Sequence, residues 1–123
     1  MTARKQKQLL VVVRHSPYGS SLARASLDVA LAAAAFEQPV KLLFMGDGVL
    51  QLLPEQDSQA IGQKNIGRLL SSLPLYDIEI VYADAEAVAR HGIDLGSAPL
   101  PAKALDAHAM QQLMISCDHL LGF

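Results

Sequence analysis

Residues 40–54 read VKLLFMGDGVLQLLP and indicate the architecture of this chain more directly than any other part of it. The first six residues form a short, mostly apolar run between Pro39 and Gly46, which is typical of a strand buried on both faces of a parallel sheet. Gly46 and Gly48 flank Asp47 at the predicted end of that strand. Because glycine has no Cβ, the backbone is expected to turn sharply there.

The second half of the stretch is unusually apolar for a turn. Four aliphatic side chains lie between Gly48 and Pro54, more than a solvated loop normally carries, so they must be covered. Either the turn folds back over its own domain, or another subunit packs on it. On the second alternative the candidate interface residues are Gly46, Asp47, Gly48, Val49, Leu50, Leu52 and Leu53.

The chain before this stretch predicts one strand and one helix. Leu9–Val13 is a continuous apolar run and is predicted to be a central strand. An alanine-rich helix is expected over Leu22–Phe36. Either Ser20 or Ser21 can cap it, since a serine oxygen accepts hydrogen bonds from the free amides of a first turn.

The chain after the Gly-Asp-Gly turn continues the alternation of helix and strand. A second helix is expected to begin at Asp57 or Ser58, and a third strand is expected over Ile78–Tyr82. Asp84 is placed to cap a short helix, Ala85–Arg90, which Gly92 is expected to end.

The last third of the chain predicts a short edge strand near Ala98–Leu100, a helix over Ala104–Ser116 and a final strand over Asp118–Phe123. Strands that alternate with helices predict a single-domain, doubly wound, three-layer α/β/α fold. Its sheet is expected to be mostly parallel, with about five strands. Residues 1–8 are interpreted as an N-terminal tail and residues 9–123 as the domain.

Composition excludes several classes of function. A length of 123 residues suits one domain, and a net charge of −2 argues against a sequence-independent nucleic-acid binder. No apolar segment approaches the roughly 20 residues of a membrane span, so no membrane partner is expected. The single cysteine allows no intramolecular disulfide, which fits a soluble cytoplasmic protein.

Ligands of doubly wound sheets bind at the carboxyl ends of the strands. Three turns are expected to meet there: His15–Ser21, Gly46–Val49 and Ala83–Glu86. The first lies at a helix N-terminus, where free amides favour an anion, although an ordinary capped turn is the simpler interpretation. It matches neither a dinucleotide fingerprint nor a phosphate-binding loop. The residues of this possible anion-binding turn are Ser16, Tyr18, Gly19 and Ser20.

Other side chains of catalytic type have simpler interpretations. His15 could act as a general base, but none of the four histidines has a partner at metal-ligand spacing, so no metal site is predicted. Asp47 and Asp84 could form a carboxylate pair, yet aspartate at turns and helix starts more often binds local backbone amides. Cys117 is predicted at the carboxyl end of a helix and beside Asp118. The helix end and the neighbouring carboxylate both disfavour a thiolate. Cys117 is also predicted at the sheet edge opposite the one where ligands bind. A buried structural cysteine is therefore favoured.

Three motifs together resemble the DsrE/DsrF/DsrH-like family, and most closely its TusC/DsrF branch: FMGDGVLQLLP at residues 44–54, SPYG at 16–19 and LYDIE at 75–79. The resemblance covers residues 9–123 and implies a five-stranded, flavodoxin-like domain. In the related TusD/DsrE-like subunits a cysteine after the third strand, eight residues before a glycine, carries sulfur as a persulfide. Counting back from Gly92 places Asp84 at that position.

The resemblance therefore implies a non-catalytic, structural subunit without a cofactor. Its implied partners are TusB- and TusD-like subunits in a heterohexamer. Persulfide sulfur would reach this complex from a TusA-like carrier and leave through a TusE-like one toward 2-thiolation of the wobble uridine in tRNA. A DsrEFH-type complex for sulfur oxidation is the alternative pathway. Two further alternatives stay open: a sulfurtransferase that uses Cys117, and a binder of small anions or nucleotides.

Overall fold

The structure is a computed structural model, and it describes residues 7–15, 22–53 and 69–123. Its centre is a parallel sheet of five strands in the order β4-β3-β2-β1-β5. The strands are β1 (Leu9–Val13), β2 (Val40–Phe44), β3 (Val81–Asp84), β4 (Ala102–Leu105) and β5 (His119–Gly122). The predicted α/β fold is therefore confirmed, while the strand order is one that the sequence does not reveal and differs from the 2-1-3-4-5 order of flavodoxin.

Helices cover both faces of the sheet. The α-helices with both ends in the described ranges are α1 (Leu22–Ala35), α2 (Ala85–His91) and α3 (Ala107–Ser116), and residues 69–72 are also helical. The described ranges also contain 3-10 segments at Gly46–Leu52, Leu73–Tyr76 and Leu95–Ser97. No helix in the described part of the chain is long and apolar enough to cross a membrane.

The direction of the connections explains the layers. From β1 to β4 each connection steps across the sheet in the same direction, so right-handed crossovers place these helices on one face. The connection from β4 to β5 runs back past three strands, and α3 therefore lies on the other face. The apolar clusters agree, because Leu27 of α1 and Ala87 of α2 belong to the same cluster as Val11, whereas Leu113 of α3 belongs to the cluster of Leu10.

β1 and β2 form the most buried part of the sheet. All five residues of β1 are buried, as are Leu42, Leu43 and Phe44 of β2. The register sets Val13 beside Phe44 and Phe44 beside Ala83. The continuous apolar runs predicted these two strands correctly because both faces of each are covered.

Several boundaries differ from the sequence prediction. β3 begins at Val81 rather than Ile78: the chain leaves the Leu73–Tyr76 segment through Asp77, which has a left-handed φ of 67°, and enters the sheet three residues after Ile78. Ile78 is buried all the same. In the sequence, Ile78 therefore resembled a strand residue because it is apolar and buried, although it lies outside the sheet.

The edge strand was also misplaced. It lies at Ala102–Leu105 and not near Ala98–Leu100, and α3 begins at Ala107 rather than Ala104. Asp106 sets the start of α3, because its Oδ1 accepts a 2.8 Å hydrogen bond from the backbone N–H of Ala109. The alanines of β4 favour helix when read alone, which is why the sequence assigned part of this strand to the helix.

The Gly46–Leu52 segment folds back over the end of β1, which answers the question of what covers its apolar residues. Val49 and Leu52 are fully buried in the core of this chain. Gly48 allows the approach, since a Cβ there would lie 2.0 Å from the carbonyl oxygen of Val13. The backbone N–H of Met45 donates a 2.9 Å hydrogen bond to the same oxygen.

Replacing the two glycines of this turn with alanine is expected to have unequal effects. Gly48→Ala forces the segment away from Val13, and we expect a loss of about 3 kcal/mol in the free energy of unfolding. Gly46→Ala has open space for its Cβ but keeps a left-handed φ of 52°, so a loss of about 1 kcal/mol is expected. Urea denaturation of both variants measures the difference. Equal stability of Gly48→Ala and the unmodified chain would contradict the contact.

Candidate functional site at the carboxyl edge of the sheet

The candidate site lies where β1, β2 and β3 end side by side. The Gly46–Leu52 segment leaves β2 at this edge, and α2 leaves β3 there. Parallel strands place their carboxyl ends on one edge, which is the usual ligand edge of such sheets. Two of the three turns predicted to meet here, Gly46–Val49 and Ala83–Glu86, are therefore at this edge, and the third falls mostly outside the described residues.

A buried glutamine connects the segment to the end of β1. Gln51 is only 3% exposed, and its Nε2 donates a 3.0 Å hydrogen bond to the backbone carbonyl of His15. Its Oε1 is buried and receives no hydrogen bond from the described residues. The sequence did not single out Gln51, because one amide among aliphatic residues carries no recognisable motif.

A histidine–aspartate contact connects the segment to α2. His91 Nε2 lies 3.4 Å from Asp47 Oδ1, with the histidine mostly buried and the aspartate mostly exposed. The approach does not have the alignment of a hydrogen bond, so the contact is electrostatic and requires the protonated imidazole to be attractive. Sequence reasoning treated both residues separately and missed that they meet.

Asp84 is a helix cap. Its Oδ1 accepts hydrogen bonds from the backbone N–H groups of Glu86 at 3.1 Å and Ala87 at 3.4 Å. These bonds satisfy two of the free amides of the first turn of α2. Gly92, left-handed with a φ of 64°, ends the helix, as the sequence predicted.

The remaining site predictions have different outcomes. Asp47 and Asp84 contact different groups, so the carboxylate pair considered from the sequence receives no support. His15 is exposed and contributes its backbone carbonyl to Gln51. The possible anion-binding turn lies outside the described residues: Ser16, Tyr18, Gly19 and Ser20.

The candidate interface at Gly46–Leu53 needs a correction. Gly48, Val49 and Leu52 are covered by this chain itself and have almost no surface left for a partner. The surface that remains belongs to Asp47, which is exposed, and to Gly46, Leu50 and Leu53, which are half-buried. The physical reason is the close approach of Gly48 to Val13, which brings the aliphatic side chains into the core.

Cys117 lies at the opposite edge of the sheet. It follows α3, is half-buried and packs against the apolar cluster between α3 and the sheet. Its Sγ lies 3.9 Å from Oε1 of Gln8, the residue that precedes β1. One strand length, roughly 13 Å for four residues, therefore separates the thiol from the edge where Asp84 lies.

The described residues hold no group of three or more His, Cys, Asp and Glu side chains that could bind a metal ion. His108 and His119 are both exposed on the surface, on α3 and β5 respectively. Among the described residues, the carboxyl edge offers the Gln51 amide, the Arg14 guanidinium, the His15 and His91 imidazoles and the carboxylates of Asp47 and Asp84, and no thiol.

Comparisons with known proteins agree on one family. The family model described as "DsrE/DsrF-like family" matches residues 7–123. A protein named "Protein TusC homolog" from Pseudomonas aeruginosa is 33% identical over 94% of this chain and 97% of its own length. A second "Protein TusC homolog", from Vibrio parahaemolyticus, is 34% identical over 94% of this chain and 98% of its own length.

Two further matches extend the comparison. "Intracellular sulfur oxidation protein DsrF" from Allochromatium vinosum is 37% identical over 71% of this chain and 64% of its own length. The crystal structure of the ychN protein from E. coli superimposes with a TM-score of 0.76 at 23% identity, covering 96% of this chain and 100% of that one. The structural match shows a common fold, and the sequence matches identify the relatives.

Substitution of Asp84 tests its role as a cap. Asp84→Ala is expected to lower the free energy of unfolding by about 1 kcal/mol because two amides of α2 lose their acceptor. Asp84→Asn keeps a side-chain oxygen and should stay within a few tenths of a kcal/mol of the unmodified chain. Urea denaturation gives both values, and an asparagine variant as unstable as the alanine variant would show that the residue acts by something other than capping.

Proposed function

Because the chain belongs to the DsrE/DsrF-like family, we propose that it is a structural subunit of the TusC/DsrF type in a heteromeric sulfur-relay complex. It shares the fold of the subunit that carries sulfur and has no transfer chemistry of its own. Its partners are TusB- and TusD-like chains, and the sulfur passes between a TusA-like donor and a TusE-like acceptor without resting on this chain.

The observation that carries the proposal is the role of Asp84. By the family resemblance, this position holds the acceptor cysteine in the subunits that transfer sulfur. A carboxylate cannot form a persulfide, and this one is already engaged with two backbone amides. The position has therefore exchanged a reactive thiol for a group that stabilises the helix.

The placement of Cys117 supports the same conclusion. Thiols that transfer sulfur must be accessible and activated. This thiol is half-buried among apolar side chains at the amino edge of the sheet, next to Gln8 and away from the family's acceptor position. A sulfurtransferase that uses Cys117 would need to expose it.

For the pathway, we propose the relay toward 2-thiolation of the tRNA wobble uridine rather than sulfur oxidation. The two relatives named TusC homolog match over nearly their whole length, whereas the DsrF match covers about two thirds of that protein. The longer alignments favour the TusC side of the branch.

Purification of the N-terminally tagged chain from its native cells tests the proposal. We expect TusB- and TusD-like chains to copurify. After alkylation of thiols, mass spectrometry should find one additional sulfur atom, about 32 Da, on a partner's cysteine. Cys117 should carry the alkyl group without additional sulfur. The fraction of 2-thiouridine in tRNA should fall when the gene is deleted.

Three results would contradict the proposal. Persulfide on Cys117 without partner chains would make this chain the carrier. Unchanged 2-thiouridine after deletion, together with a defect in sulfur oxidation, would move the chain to the DsrEFH-type pathway. Recovery of the chain alone, with no partner and no persulfide, would remove it from the sulfur relay.

A further inference from the structure

We draw no further inference here: the strongest candidate, the exposed apolar surface at the amino edge of the sheet that comprises Phe36 after α1 and Leu75 and Tyr76 before β3, carries none because nothing in the described part of the chain shows what covers it.

Discussion

The close contact between Gly48 and the carbonyl of Val13 is the constraint on which the carboxyl edge of this fold depends. It brings the Gly46–Leu52 segment against the end of β1, which buries Val49 and Leu52 in the core. From there Gln51 reaches the carbonyl of His15, and Asp47 reaches His91 on α2. The absence of a Cβ at Gly48 thus allows contacts between the end of β1, the segment that follows β2 and the helix that follows β3.

Several described polar side chains at the carboxyl edge are engaged in contacts within the chain. Asp84 caps α2, and the Gly46–Leu52 segment contributes the Gln51 amide and the Asp47 carboxylate. The thiol of Cys117 lies at the other edge of the sheet. Under the function proposed above, the chain keeps the fold of a sulfur-carrying subunit, while Asp84 and Gln51 stabilise the carboxyl edge.

Local chemistry explains which features could be predicted from the sequence. β1, β2, the cap at Asp84 and the end of α2 at Gly92 follow from short patterns, namely continuous apolar runs, an N-cap and a C-terminal glycine. Contacts between distant segments could not be predicted. The sequence around residues 49 and 51 would be equally apolar if the chain itself or a partner covered it. Only the approach of Gly48 to Val13 shows that the chain itself does so. The start of β4 was missed because its alanines suit a helix as well as an edge strand.

The central claim is that sulfur passes through the complex without using a thiol of this chain. Its most direct test is the rate at which the purified assembly moves persulfide sulfur from a donor protein to an acceptor thiol, measured with the unmodified chain and with Cys117→Ser. The account predicts equal rates, because the variant chain has no thiol and the transfer does not need one. Loss of transfer in a variant that still assembles with its partners would contradict it and would assign the sulfur-carrying step to Cys117.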